Sequence, residues 1–89
     1  MRLRSEPLAV DVAPGGAPRR VCLEGRWRAV VRVEEAWVVE GRWWGVEERR
    51  EYVRLETAGA AGAPALVVEL YRTAAAPEAD AWRLARVVD

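Results

Sequence analysis

Hydrophobic and polar residues alternate position by position through the middle of this chain. From Trp27 to Val33 one face collects Trp27, Ala29, Val31 and Val33, and the other collects Arg28, Val30 and Arg32. A repeat of two residues, rich in β-branched side chains, is typical of a half-buried β-strand. Arg20–Glu24 alternates in the same way, and Glu24-Gly25-Arg26 is a turn signal between the two segments. The pattern therefore predicts a β-hairpin.

Three further segments follow the same repeat. Strands are predicted over Ala36–Glu40, after a bend at Glu34-Glu35, and over Tyr52–Thr57 and Ala65–Arg72, the last with Leu66, Val68 and Leu70 inward. The charged run Glu47–Arg50 is predicted as a connection. Strands at this spacing with short turns indicate an all-β fold, either a small antiparallel barrel or a rolled sheet of five to six strands.

The two ends of the chain are less regular. Residues 1–18 are predicted as a flexible or edge-strand lead-in, in which Leu8–Val12 alternates and Ala13–Pro18 breaks regular structure. Residues 19–89 are predicted as one small domain, because chains of this length rarely divide. The segment Pro77–Val88 fits a helix, with Pro and acids early and bases late, and it also fits a strand.

Composition narrows the classes of partner. The 89 residues carry 14 basic and 14 acidic side chains, so the formal net charge is zero. Dedicated duplex-binding proteins show a basic excess, which this chain lacks. It has one cysteine, Cys22, and neither an apolar leader nor a run long enough to cross a bilayer. We therefore expect a cytoplasmic protein with no membrane contact. The preference for Arg over Lys and for Val over Ile fits a GC-rich genome, and the absence of Asn and Gln fits a heat-adapted protein.

The residue types that usually carry catalysis are scarce. There is no His and no Lys, which removes imidazole acid–base chemistry, Schiff bases and ordinary zinc sites. The pairs Glu34-Glu35 and Glu47-Glu48 are adjacent, and neighbours on a strand point to opposite faces, so each pair is interpreted as solvated charge. Cys22 is interpreted as a small buried residue. We expect no enzymatic activity, no cofactor and no metal.

The segment from Arg42 to Tyr52 is the candidate binding region. If Trp43 and Trp44 lie in extended backbone, their side chains project to opposite sides, and a one-layer core covers only one of them. Trp and Arg are enriched at binding hot spots, and aromatic rings beside Arg also stack on unpaired bases. The alternative is that both Trp side chains are core. The candidate binding residues are Arg42, Trp43, Trp44, Arg49, Arg50 and Tyr52.

Several blocks in order resemble an uncharacterised small domain family that also forms the C-terminal tail of ImuB-type Y-family polymerase homologues. The blocks are Pro18 to Val21, Gly25-Arg26, Val30, Val33, Trp37, Trp43-Trp44, Arg50 to Leu55, Leu70 to Arg72, and Trp82 to Leu84. The resemblance implies an accessory role in contact with protein or DNA, and a final strand through Trp82. The polymerase body is absent, so the link to translesion synthesis is an association only, because a likeness of fold does not assign a function.

Two functions are therefore expected from the sequence. The first is a non-catalytic interaction module, accessory to DNA repair, that binds a protein partner or its own copy through the Trp43–Tyr52 region. The second is a single-stranded nucleic-acid binder that uses Trp and Tyr stacking with Arg contacts to phosphate.

Overall fold

A computed structural model gives the fold, and it describes residues 2–43, 45–59, 64–73 and 82–88. Seven strands in one antiparallel sheet make up these residues, in the order β1-β7-β6-β5-β4-β3-β2. The strands are β1 (Arg2–Pro7), β2 (Val10–Val12), β3 (Pro18–Leu23), β4 (Arg26–Trp43), β5 (Val46–Thr57), β6 (Leu66–Thr73) and β7 (Arg83–Val88). The predicted all-β fold and rolled antiparallel sheet are confirmed, and the sheet is not closed into a barrel.

The lead-in supplies both edges of the sheet. β1 pairs with β7 at one end, and β2 pairs with β3 at the other. Only Leu8 and Ala9 separate these two strands along the chain, so the sheet must roll until its edges approach. Two backbone hydrogen bonds hold the junction: the Leu8 amide donates to the Trp82 carbonyl at 3.0 Å, and the Cys22 amide donates to the Ala9 carbonyl at 3.0 Å.

The core lies on the inner face of this roll. Cross-strand partners share a face, and β5, β6 and β7 align their apolar residues there. Trp82 is 2% exposed and covers the same cluster. The buried cluster consists of Leu8, Val21, Leu23, Leu55, Val68, Leu70, Trp82 and Leu84. The predicted inward positions of Val68 and Leu70 on β6 are confirmed.

The predicted first hairpin is also confirmed. Leu23 pairs with Arg26, and the two residues between them, Glu24 and Gly25, have φ of 52° and 78°. Positive φ at both central positions gives the turn whose twist suits adjacent strands, and glycine adopts it without strain.

β4 is one continuous strand of 18 residues, so the prediction of two strands separated by a bend at Glu34-Glu35 is wrong. Irregular pairing with β5 between Val30 and Arg32, and again between Val33 and Glu35, leaves Val31 and Glu34 as β-bulge residues. Each bulge reverses which side of the sheet later residues occupy. For this reason Val30 and Val33, which the alternation sets on opposite faces, both lie on the inner face, opposite Thr57 and Leu55. Val30 packs against the core, while Val31 and Val33 are 61% and 46% exposed.

Two further predictions are corrected. The charged run Glu47–Arg50 is part of strand β5 and not a connection, because each of its residues pairs across to β4. The helical alternative for Pro77–Val88 is wrong over Arg83–Val88, which forms β7 between β1 and β6. Residues 77–81 lie outside the described residues. Pairing on both sides of β7 outweighs the weak local helical pattern.

Candidate interaction surface

The β4–β5 hairpin extends beyond the rest of the sheet. β5 pairs with β4 along its whole length, from Val46 to Thr57, but its pairing with β6 begins only at Arg50. The tip of the hairpin, from Glu40 to Arg49, therefore pairs with no third strand among the described residues.

β4 leaves one of its own edges open. β3 pairs only with Arg26 to Ala29, and β5 pairs with β4 from Val30 to Trp43 on the other side. Within the described residues, no strand pairs with the outer edge of β4 beyond Ala29. We call the segment Val30–Trp43, seen from this side, the β4 edge.

An aromatic row crosses the outer face of the sheet and ends at the β4 edge. The rings of Tyr71 on β6, Tyr52 on β5 and Trp37 on β4 belong to residues that pair across the strands. The Trp37 and Tyr52 rings are stacked, with centroids 5.4 Å apart and planes 8° apart, and the Tyr52 and Tyr71 centroids are also 5.4 Å apart. One face of the Trp37 indole is covered by Tyr52, so its other face points past the β4 edge.

Exposed valines line the same edge. Among the described residues, the exposed large hydrophobic side chains all lie on β4: Trp27, Val31, Val33 and Val38, at 51%, 61%, 46% and 45% exposure. The Arg20 guanidinium lies 5.3 Å from the centroid of the Trp27 ring, over its face. Val33 and Val38 share the inner face of the sheet, since they pair with Leu55 and Glu51. The core beneath does not extend this far toward the edge.

The structure separates the predicted binding residues into two groups. Arg42 and Arg49 are exposed at the hairpin tip, where Arg42 contacts Glu47 at 3.1 Å and Arg49 lies 3.9 Å from Glu40. Arg50 is only 9% exposed, and Tyr52 is half-buried inside the aromatic row.

Arg50 is held by its neighbours rather than presented to solvent. Its Nε donates to a Glu48 carboxylate oxygen at 2.6 Å, and its guanidinium lies 4.4 Å from the Tyr71 ring centroid. Burial alone would lower the pKa of Arg50, but hydrogen bonds to Glu48 and Tyr52, together with charge interactions with Tyr71 and Glu48, outweigh it and raise the pKa. Arg50 is therefore a cation fixed across the aromatic row.

The predicted geometry of the Trp43-Trp44 pair lies outside the described residues. Trp44 is not described, and of Trp43 the structure gives only the backbone, which ends β4 opposite Val46. Gly45, with φ of 80°, follows in the connection to β5. The hypothesis that one indole remains exposed at this tip stays a prediction.

Opposite charges pair across the outer face. Arg32 contacts Glu56 at 3.0 Å, and Arg54 contacts Glu69 at 2.6 Å. Arg28 instead donates to the carbonyl of Ala58 at 3.1 Å. Arg32 and Arg54 are therefore engaged by glutamates within the sheet.

The two neighbouring arginines give the first testable prediction. Arg50→Ala is expected to lower the free energy of unfolding by about 2 kcal/mol, because it leaves the Glu48 carboxylate without its partner and uncovers Tyr71. Arg49→Ala, the matched control, is expected to change it by less than about 0.5 kcal/mol, since exposed ion pairs contribute little. Urea denaturation followed by tryptophan fluorescence measures both. Equal values for the two variants would contradict this assignment of Arg50.

Neither family models, curated proteins nor solved structures gave a match to this chain. The resemblance to the polymerase-tail family therefore stays a prediction. The described residues contain no group of three or more His, Cys, Asp or Glu side chains able to hold a metal ion. They also contain no helix of the length and apolarity needed to cross a bilayer.

The residues most prominent at the β4 edge are not among those that the sequence predicts as binding residues. Trp37 and Val38 were assigned to a strand, but nothing marked that strand as an edge. The signal that was present is the row formed by Trp37, Tyr52 and Tyr71. It becomes visible only when the register of β4, β5 and β6 is known.

Proposed function

We propose that this chain is a non-catalytic interaction module that binds an extended segment of protein, its own or another's, by strand addition at the β4 edge. The single observation that carries the proposal is the long unpaired side of β4 beyond Ala29. Unpaired backbone amides and carbonyls along a strand form a ready template for another strand. The binding region is thus the β4–β5 hairpin, and its contact side is β4.

Side chains at the edge support the same function. One face of the Trp37 indole is available to a residue of the added strand, because Tyr52 covers only the ring face that is turned toward β5. Val38, 45% exposed, flanks it on the other side of the sheet. Main-chain hydrogen bonds would supply affinity, and these two side chains would supply specificity on alternate faces.

Single-stranded nucleic acid is the rival function, and the aromatic row gives it less support. Bases stack on free ring faces beside unengaged cations. Here the Tyr52 ring lies between Trp37 and Tyr71, and Arg50 is buried against Glu48. The exposed Arg42 and Arg49 stand beside glutamates, which repel phosphate.

Strand addition has a characteristic signature in amide exchange. We expect a panel of short capped peptides, alternating Val with Thr, Arg or Glu, to slow exchange about tenfold at alternate amides between positions 36 and 42. Alternate amides respond because every second residue of β4 directs its N–H away from β5. Exchange is read residue by residue on the full chain by NMR.

Two valine variants separate edge binding from a general change in charge. Val38→Lys places a charge on the part of the β4 edge where the added strand would pair, and it is expected to abolish the protection. Val31→Lys adds the same charge at a bulge position, outside the ladder, and is expected to retain it. Oligothymidylate serves as the rival ligand, and salt-dependent quenching of tryptophan fluorescence by it, with no peptide protecting β4, would overturn the proposal.

The accessory role in DNA repair is part of this proposal through the resemblance alone. The blocks around Trp37 and Arg50–Leu55 carry it. Genes for damage-response polymerases next to the gene for this chain would support the role. Their absence from related genomes would leave the interaction module without that assignment.

A further inference from the structure

We propose that the strand added at the β4 edge is β4 of a second copy, antiparallel, with the two-fold axis at Val38. This inference rests on the proposed function and names its partner. It follows from the pattern of bulges, side chains and charges along the edge.

The bulges restrict where a second strand can pair. Val31 and Glu34 are extra residues in β4, and such residues disrupt pairing along an edge. From Glu35 to Trp43 every residue of β4 has one partner on β5, with no shift in register. Regular edge is therefore available from Glu35 to Trp43, and an axis at Val38 keeps the paired segment Glu35–Gly41 wholly within it.

A two-fold axis at Val38 brings together residues that share a face. Val38 lies opposite Val38 of the second copy. Trp37 of each copy lies opposite Val39 of the other. Val38, 45% exposed, is thereby covered. The free face of the Trp37 indole packs on a valine, which is a favourable cross-strand pair of aromatic and β-branched residues. The aromatic row that begins at Tyr71 then continues across the interface.

The charges along this register are compatible with a second copy. Glu35 lies opposite Gly41, and Glu40 lies opposite Ala36, so no two like charges face each other. Like charges directly opposite would destabilise a strand pair. The formal net charge of the chain is zero, so two copies approach without long-range repulsion.

An axis one residue away would set a valine opposite a glutamate: Val39 opposite Glu35 for an axis at Trp37, or Val38 opposite Glu40 for an axis at Val39. An axis at Ala36 is a further alternative. By number it sets Val38 opposite the bulge residue Glu34, and Val33 comes opposite Val38 only if pairing skips Glu34. It would also bring Glu35 diagonally beside its own copy, a separation of about 7–8 Å. Both features favour the axis at Val38.

Cysteine cross-linking locates the axis. In a Cys22→Ser background, Val38→Cys should form a disulfide-linked dimer under mild oxidation. Residues opposite each other in an antiparallel pair have Cα atoms about 4.5–5.5 Å apart, within the range of a disulfide. Ala36→Cys, on the same face, should not cross-link to itself, because the Val38 axis sets the two Ala36 residues about 13 Å apart along the strand. Cross-linking of Ala36→Cys in place of Val38→Cys would overturn the inference.

Light scattering over a range of concentrations tests the native chain, with no introduced cysteine. A reversible dimer is expected. Val38→Lys should weaken it about tenfold or more, since two Lys side chains would meet at the axis. Val31→Lys, with the same change of net charge, should leave it unchanged. Equal weakening by both variants would mean that net charge, and not the edge, governs association.

The failure of this inference is distinguishable from the failure of the proposed function. A chain that stays monomeric to near-millimolar concentration, while peptides still protect the β4 amides, removes the second copy as partner and leaves strand addition. A monomer whose β4 amides no peptide protects removes both. A third outcome is a dimer that persists in Val38→Lys and whose backbone amides at positions 36–42 exchange freely. That result would place the interface elsewhere and remove the second copy from this edge.

Discussion

Replacing Leu70 with Ala is expected to lower the free energy of unfolding by about 3 kcal/mol. Leu70 is 0% exposed. It lies on β6, near the middle of the sheet, between its cross-strand partners Val53 and Leu84. Truncation removes three carbon atoms from the inner face and leaves a cavity that paired strands on both sides cannot close. Domains of this size are stable by roughly 5–15 kcal/mol, so the loss is a large fraction of the total.

A valine on the same sheet provides the control. Val31→Ala also removes side-chain carbon atoms, but Val31 is 61% exposed at a bulge. Its effect is expected to stay within about 0.5 kcal/mol. Urea denaturation of both variants, followed by tryptophan fluorescence, gives the comparison. A Leu70→Ala protein within about 1 kcal/mol of the unmodified chain would mean that the rolled sheet does not enclose this residue.

The alternation of apolar residues predicts the inner face only where the strands are regular. Val68 and Leu70 were assigned correctly because β6 pairs with β5 without interruption. On β4 the same reasoning set Val30 and Val33 on opposite faces, whereas both lie on the inner face because a bulge at Val31 separates them. A bulge arises from how two strands pair, and the sequence of one strand does not contain that information.

Charged strands are the second source of error. Glu47–Arg50 has no apolar alternation, so it resembles a loop. It remains a strand because the protruding hairpin has solvent on both faces, where ion pairs such as Arg42 with Glu47 replace apolar packing. At Arg83–Val88 the opposite problem arises, because a short apolar segment fits either helical or strand spacing. Neighbouring strands on both sides decide its structure.

The candidate surface was predicted in region but not in detail. The sequence indicates a hairpin rich in Trp and Arg, and Arg42 and Arg49 are indeed exposed. It gives no means of separating Arg50, which is buried, from Arg49, its exposed neighbour. The difference comes from the position of Tyr71 on another strand, 4.4 Å from the Arg50 guanidinium.

Glu69 is the second residue whose replacement is expected to have a large effect. Its side chain is 5% exposed, and it contacts both Arg54 and Arg86 at 2.6 Å. These arginines project from β5 and β7 on either side of β6. One carboxylate therefore bridges two guanidinium groups across three strands of the sheet.

Glu69→Gln is expected to lower the free energy of unfolding by about 2 kcal/mol at neutral pH. Removal of one partner from a fully buried ion pair costs about 3–5 kcal/mol. The expected loss is smaller here because the side chains of Arg54 and Arg86 are 34% and 27% exposed and retain partial hydration. Glu40→Gln is the matched control. Its pair with Arg49 spans 3.9 Å at an exposed site, so a change below about 0.5 kcal/mol is expected.

The pH dependence of stability tests the same carboxylate without truncating it. Burial alone would raise the pKa of Glu69, but hydrogen bonds and charge from Arg86 and Arg54 outweigh burial and lower the pKa below its ordinary value. Because the folded-state pKa lies below the unfolded-state pKa, Glu69 stabilises the fold fully above the ordinary glutamate value of about 4.3. That contribution is lost as pH falls through the folded-state pKa.

Urea midpoints of the unmodified chain should therefore fall between pH 5 and pH 3 more steeply than those of Glu69→Gln, whose amide does not titrate. The two curves should converge in acid, since protonation removes from the unmodified chain the charge that the variant already lacks. Parallel curves would show that Glu69 titrates alike in the folded and unfolded chains. In that case the contacts with Arg54 and Arg86 would not stabilise the ionised form, and the three-strand ion pair would contribute nothing to the fold.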